Sequence, residues 1–306
     1  MAGTIVVGVE ESERSADAIA LARRLADATG AGLLLVNAYP YEAVPGGPAR
    51  PEYEEYVRRS SRELLEAARA ALAPAVADTE SVGGFSAARV LHEAAERTRA
   101  AMIVVGPTHH ATDGVTTAAV PDRLLSGAPA PVAQASLGYA RRAPAGFTAI
   151  GVAFSDNEAG REALQAAGRL ARSTGARLRV ASVADPRLWR LDARAGRAGE
   201  EELRAAHLQV LEARARAALE ALGEGLDVDV AVLEGDPVRE LVLRSQELDL
   251  LVCGSRAYGP ATAVLAGGTS RALMHRAACP VLVVPRTGVV AAWEVAFADG
   301  LRPGGA

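Results

Sequence analysis

The sequence predicts an α/β protein: two tandem, doubly wound five-stranded parallel sheets with helices on both faces. Three observations carry this prediction. The 306 residues suit about two domains. Apolar runs of strand length alternate with helical stretches, the pattern of parallel sheets joined by right-handed crossovers. The whole pattern then occurs a second time.

The repeat can be followed element by element. Thr4-Ile5-Val6-Val7-Gly8-Val9 returns as Thr148-Ala149-Ile150-Gly151-Val152-Ala153, each a continuous apolar run of the kind buried on both faces of a sheet. A helix follows each run, Ser15 to Ala28 and Glu158 to Ser173, and ends at Thr29-Gly30 or Thr174-Gly175. Glycine there accepts the left-handed backbone that stops a helix. Second strands come next, Leu33 to Ala38 and Leu178 to Val183, then long loops at Tyr39 to Arg50 and Ala184 to Gly199. Second helices span Tyr53 to Leu72 and Glu200 to Leu222. In the later one Leu203, Ala206, Val210, Ala213 and Ala217 form one apolar stripe at helical spacing, with His207 at its border as a structural histidine.

A third strand precedes the third helices, Ser86 to Arg99 and Pro237 to Gln246, the latter started by Asp236-Pro237. Fourth strands are expected at Met102 to Gly106 and Leu250 to Gly254, and fifth strands at Pro131 to Ala135 and Pro280 to Val284. A glycine-containing loop and a short helix separate each pair. The units are therefore 1–139 and 147–288, with a linker at Ala140 to Gly146 and a C-terminal tail at 289–306.

Composition narrows the functional classes. Half of the residues are hydrophobic, enough for two cores. A net charge of -4 gives no bulk attraction to nucleic acid or an anionic membrane. Every basic side chain other than histidine is Arg, spread along helices among Glu, which reads as coding bias and not RNA binding. No run reaches the roughly 18 apolar residues of a membrane span. Met1-Ala2-Gly3-Thr4 enters a strand with no charged leader, so a cytoplasmic protein is expected. Cys253 and Cys279, in apolar surroundings and outside any CxxC pair, are expected as buried thiols, with a disulfide between them as the alternative.

In such a sheet ligands bind beyond the carboxyl ends of the strands, where strand order reverses. The turn after the first strand has no G-x-G-x-x-G, and a chain without Lys has no P-loop. The turn after the second unit's fourth strand reads Gly254-Ser255-Arg256-Ala257-Tyr258-Gly259-Pro260. Gly267-Gly268-Thr269-Ser270-Arg271 follows at a helix start. Free N–H groups, two hydroxyls and Arg256 suit a phosphate chain there; the alternative is an ordinary loop before a capped helix.

These residues resemble a family. Gly-x-x-Gly, nine residues, then Gly-Ser/Thr after a Val-rich strand is similar to the ATP-binding signature of universal stress proteins. The ending Ala277-Ala278-Cys279-Pro280-Val281-Leu282-Val283-Val284-Pro285 resembles the family's closing strand, and the doubling resembles its tandem members. The resemblance spans residues 3 to about 286. It implies the strand order 3-2-1-4-5 in each unit and a site for ATP or another adenine nucleotide, with no metal beyond Mg accompanying ATP. It also implies pairing through the last strands. Val132, Val281 and Val283 would then join the units as an internal pseudo-dimer, and a homodimer is a further expectation.

Carried over residue by residue, Gly254 takes the first glycine position, Ala257 stands at the second, and Gly267 at the third, followed by Gly268 and Thr269. Ser155 lies where the family has an Asp after the first strand, with Asp156 next. Val183 lies where the backbone meets adenine. The expected nucleotide residues are therefore Ser155, Val183, Gly254, Ser255, Arg256, Ala257, Gly267, Gly268, Thr269 and Ser270. The first unit departs further. Glu10 and Glu11 replace Asp and Gly, Pro107 follows Gly106, and Ala118-Ala119-Val120 stands where the late glycine and hydroxyl belong. Adjacent His109 and His110 with Asp113 make a poor metal site.

The resulting expectation is a nucleotide-binding stress or regulatory protein that binds at most one nucleotide, in the second unit. No G-x-S-x-G turn or acid/base constellation points to an enzyme. Two other readings stay open: a nucleotide-free scaffold acting through protein partners, and a slow ATP hydrolase.

Overall fold

Apolar runs that avoid helix caps and breakers become the central strands. The computed structural model describes residues 3–41, 51–72, 77–108, 120–142, 146–187, 196–255, 264–265 and 268–285. The strands are β1 Thr4–Gly8, β2 Gly32–Tyr39, β3 Ala77–Gly83, β4 Met102–Val105, β5 Ser126–Ala128, β6 Val132–Gln134, β7 Ala149–Ala153, β8 Arg177–Ala184, β9 Val228–Glu234, β10 Leu250–Gly254, β11 Val264–Leu265 and β12 Val281–Val284. The helices are α1 Glu13–Thr29, α2 Pro51–Ala70, α3 Ala87–Thr98, α4 Val120–Leu124, α5 Tyr139–Arg142, α6 Glu158–Thr174, α7 Gly196–Glu220, α8 Pro237–Arg244 and α9 Gly268–Arg276.

Within each half the parallel strands stand in the order 3-2-1-4-5: β3-β2-β1-β4-β6 and β9-β8-β7-β10-β12. The two sheets are not separate. β6 and β12 pair antiparallel, with Val283 opposite Val132 and Leu282 opposite Ala133, so one ten-stranded sheet runs through both halves. The reason is the apolar edge each half would otherwise expose. A small antiparallel ribbon of β5 and β11 also links the halves, an element the sequence reading does not contain.

Both sheet faces are buried, as continuous apolar strands require. Ile5, Val7, Ile150 and Val152 join the core with α1 and α6, among them Leu21, Leu25, Ala163 and Leu164. Val6, Ile103, Val281 and Val283 join the opposite core with Leu91, Leu124 and Leu273. The expected stops are present: Gly30 and Gly175 cap α1 and α6 at φ 69° and 71°. At the linker, Asp17 of α1 is buried and accepts hydrogen bonds from the N–H groups of Gly138 and Ala140, both 2.8 Å.

One stripe lies elsewhere than its pattern suggests. Leu203, Ala206, Val210, Ala213 and Ala217 of α7 are all exposed. The inward face is set by Ala215 and Leu222, with Ala218 and Leu219 packed against the same core. That face has the same spacing five residues further on, so α7 carries two apolar stripes and periodicity alone cannot choose between them. His207 is half-buried beside the inward face.

Candidate functional site

The fold brings the carboxyl ends of β8, β7 and β10 side by side, because β7 pairs with both neighbours. Val183 therefore lies at the end of β8, Ser155 beyond β7, and Gly254 and Ser255 at the end of β10. The start of α9 adds Gly268, Thr269 and Ser270. Arg256, Ala257 and Gly267 lie outside the described residues, as do His109, His110, Ala118, Ala119 and the tail.

Helix caps set the correspondence between the halves. Ser12 caps α1 and Asn157 caps α6, its side chain accepting from the Gly160 N–H at 2.9 Å. Counting back two residues from each cap aligns Ser155 with Glu10 and Asp156 with Glu11. Ser155 is exposed at the mouth. Asp156 is held by Arg161 at 2.6 Å and by Arg214 at 3.7 Å. Glu10 is likewise engaged, accepting from the Ser12 hydroxyl at 2.8 Å and facing Arg14 at 3.8 Å. One strand over, Ser182 donates to the Phe154 carbonyl at 3.3 Å and Asn37 to the Val9 carbonyl at 2.7 Å. The same carbonyl is thus occupied in both halves.

Gly254 is required by packing. A Cβ there would lie 2.5 Å from the Ala159 carbonyl oxygen, so only glycine lets β10 meet the first turn of α6. Gly106 has the same constraint, 2.8 Å from the Arg14 carbonyl oxygen. This explains why the first half keeps that glycine while losing the rest of the pattern. Ser270 also serves the fold: it is buried and its hydroxyl donates to the Gly254 carbonyl at 2.8 Å, tying α9 to β10. Beneath it, burial pushes the Cys253 thiol up to about 12, against a small opposing hydrogen bond with Ser270. Cys279 is held at about 12 by the same burial; both are free thiols.

Ser255 is different. Its N–H donates to the Val284 carbonyl at 2.7 Å, but its hydroxyl, on a residue 8% exposed, has no partner among the described residues. An unsatisfied buried hydroxyl costs about 1–3 kcal/mol. Gly268 and Thr269 are exposed at the α9 start, where N–H groups remain free of helix bonds.

The equivalent ground in the first half is furnished differently. Pro107 stands in place of Ser255, with no N–H to offer. Thr108 shares a hydrogen bond with His275 Nδ1 of α9 at 3.2 Å. His275 Nε2 in turn lies 3.0 Å from Asp122 Oδ1 of α4, and Arg271 Nε is 3.5 Å from the same oxygen. Asp122 and Arg271 occupy equivalent positions, each nine residues before the proline that opens the last strand, Pro131 or Pro280. Opposite charges therefore meet where the halves meet. Sequence reasoning missed this cluster; its signal is that charge inversion at equivalent positions, visible only once the halves are paired.

Among the described residues no three His, Cys, Asp or Glu side chains gather as a metal site. No described helix is long and apolar enough to cross a membrane.

With this geometry in hand, the comparisons define the class. The Universal stress protein family profile matches residues 1–134 and again 146–285. The chain belongs to the universal stress protein family and carries two copies of its domain. The fold is similar to a universal stress protein from Archaeoglobus fulgidus DSM 4304 at 17% identity and a TM-score of 0.68, covering 93% of this chain and 98% of that one. It is also similar to a functionally unknown protein from Pseudomonas aeruginosa PAO1, at 18% identity and a TM-score of 0.60, covering 97% and 98%. No curated protein matches the sequence.

Proposed function

We propose that this tandem universal stress protein binds an adenine nucleotide such as ATP, with any accompanying Mg, in its second half only. It acts as a non-catalytic stress or regulatory module. The first half serves as the structural partner in an internal pseudo-dimer, a reading that rests on the β6–β12 pairing and the Asp122–Arg271 contact.

The observation that carries the proposal is Ser255: a buried hydroxyl without a partner among the described residues, at the end of β10, in the half whose α9 start stays exposed. A phosphate oxygen there would accept the hydroxyl proton and the free N–H groups together, with the helix N-terminus favouring negative charge. Val183 at the end of β8 and Ser155 just beyond β7 would meet the nucleoside. Gly254 and Ser270 hold the frame, Gly254 by allowing the α6 contact and Ser270 through its hydroxyl.

The test is a thermal-shift titration with ATP, ADP, AMP and cyclic AMP, with and without Mg, on the wild type and Ser255→Ala. Stabilisation by at least one of these, lost or strongly reduced in the alanine variant, supports the site. No shift with any of them favours the nucleotide-free scaffold.

A further inference from the structure

We propose that a cleft beneath α8 binds a short aliphatic monocarboxylate between the guanidinium groups of Arg179 and Arg244. The inference is independent of the nucleotide site: none of Ser155, Val183, Gly254 and Ser255 lines this cleft. It is narrow, partly open to solvent, and lies on one face of the second half's sheet across β7, β8 and β9. Ala181, Ala231, Leu241 and Leu248 give it apolar walls, and Arg179, Arg244 and Asp229 are its charged groups.

The first half shows what fills the same space there. Counting from the cap glycines Gly30 and Gly175 sets Leu34 with Arg179 and Val36 with Ala181. Strand register then sets Glu80 with Ala231, because Val36 stands opposite Glu80 and Ala181 opposite Ala231. Val36 is 1% exposed, in one core with Leu91 and Ala94 of α3, whereas Ala181 is only half-buried. Glu80 covers the same face and pairs its carboxylate with Arg97 of α3. The second half therefore lacks the two methyl groups of Val36 and the carboxymethyl end of Glu80, which together amount to a four-carbon carboxylate. It also covers the face less, since α8 has 8 residues where α3 has 12. Another loss is made good from within. Gly151 stands in place of Val6, and Leu248 takes up that room, its Cδ1 lying 2.3 Å from where a Gly151 Cβ would be.

The charged groups select the ligand. Arg179 Nη1 donates to Glu247 Oε2 at 2.7 Å, but its Nε–H is buried with no partner among the described residues. Asp229 stands opposite Arg179 in the strand register and makes no ion pair with it. A buried N–H without an acceptor is costly, so an acceptor in the cleft is favoured. Arg244, exposed on α8, has no hydrogen-bond or ion-pair partner among the described residues. A carboxylate between the two arginines accepts charge-assisted hydrogen bonds from strand and helix together, while its chain covers Ala181 and Ala231. Asp229 and Glu247 repel a second negative charge, which favours a monocarboxylate over a dicarboxylate or phosphate. The ligand does for α8 what Glu80 does for α3: its carboxylate fastens the third helix of the half to the sheet.

The test uses the full chain in a buffer free of carboxylates. Saturation-transfer NMR is recorded with butyrate, with its neutral analogue butyramide and with the dianion succinate. The expected result is millimolar binding of butyrate, with butyramide and succinate at least tenfold weaker. Ala231→Glu, which returns the missing carboxylate to the chain, should abolish butyrate binding. Arg179→Leu and Arg244→Gln should each weaken it at least tenfold, the worth of a hydrogen bond to a charged group. Arg244 is exposed, so its variant should keep the wild-type circular dichroism melt and tests the site without disturbing the core. Ser255→Ala should bind butyrate as the wild type does. No transfer to butyrate at about 20 mM, or equal transfer to butyrate and butyramide, would overturn the proposal. So would binding that survives in both Ala231→Glu and Arg244→Gln, or binding lost in Ser255→Ala, which would put the anion at the nucleotide mouth instead.

Discussion

The two mouths of the sheet are built on one plan and finished differently. In both halves a cap shortly past the first strand starts the first helix, a buried polar side chain occupies the carbonyl just beyond that strand, and a glycine lets the fourth strand meet that helix. Past that shared frame they diverge. The second half presents Ser255, a hydroxyl unpartnered among the described residues, and an exposed helix start. The first presents Pro107 and a Thr108 tied through His275 to Asp122. What the halves share is what the fold needs, and what separates them is what a ligand would use. A shared signature glycine therefore says little about nucleotide binding.

The largest expected effect tests the shared frame. Gly254→Ala and Gly106→Ala should each destabilise the protein by about 2–3 kcal/mol, because the added carbon meets a backbone carbonyl that cannot move aside. Urea unfolding midpoints check this. Equal losses in the two halves would sharpen the comparison, whereas a harmless Gly106→Ala would break it.

Next comes the divergent part. Ser255→Ala should weaken adenine-nucleotide binding about tenfold to a hundredfold, the worth of one hydrogen bond to a charged group, while leaving stability equal or improved. Pro107→Ser should create no second site, because Thr108 stays tied to His275 and Ala118-Ala119-Val120 still lacks the late glycine and hydroxyl. A gain of nucleotide binding in that variant would show that proline alone distinguishes the halves.

The junction should give a smaller effect. Asp122→Asn and His275→Ala should show a coupling of about 0.5–1 kcal/mol in a double-mutant cycle, the range of a partly buried hydrogen bond. Exchanging charges, Asp122→Arg with Arg271→Asp, should recover part of the loss of either single change. Additive behaviour throughout would mean the cluster does not join the halves energetically.

The remaining prediction has no effect near neutral pH and concerns alkaline pH. Cys253, Cys279 and Tyr139 all have their ionisation pushed up to about 12 by burial. The unfolded chain ionises these groups near about 8.5 and 10. Their contribution is complete below those values and is lost as pH rises toward 12, so stability should fall across that window. Below it, both thiols should react with Ellman's reagent only on unfolding.

Much of this was readable from residues alone. The repeat, the strands and the helix stops at Gly30 and Gly175 follow from apolar runs and one left-handed residue, all local features. The mouth was readable as a location, since topology puts Ser155, Val183 and Gly254 at one end of the sheet. Three things were not. The α7 stripe misleads because two apolar faces share one period. The contact of Thr108, Asp122 and His275 depends on residues far apart in sequence and on how the halves pair. The roles of Gly254 and Ser270 depend on distances that a motif does not encode.

The central claim is that two similar domains carry one open nucleotide site. Calorimetric titration of the wild type with ATP tests it most directly. The account predicts one nucleotide per chain, lost or weakened at least tenfold in Ser255→Ala and kept in Pro107→Ser. Two nucleotides per chain, or undiminished binding in Ser255→Ala, would contradict it.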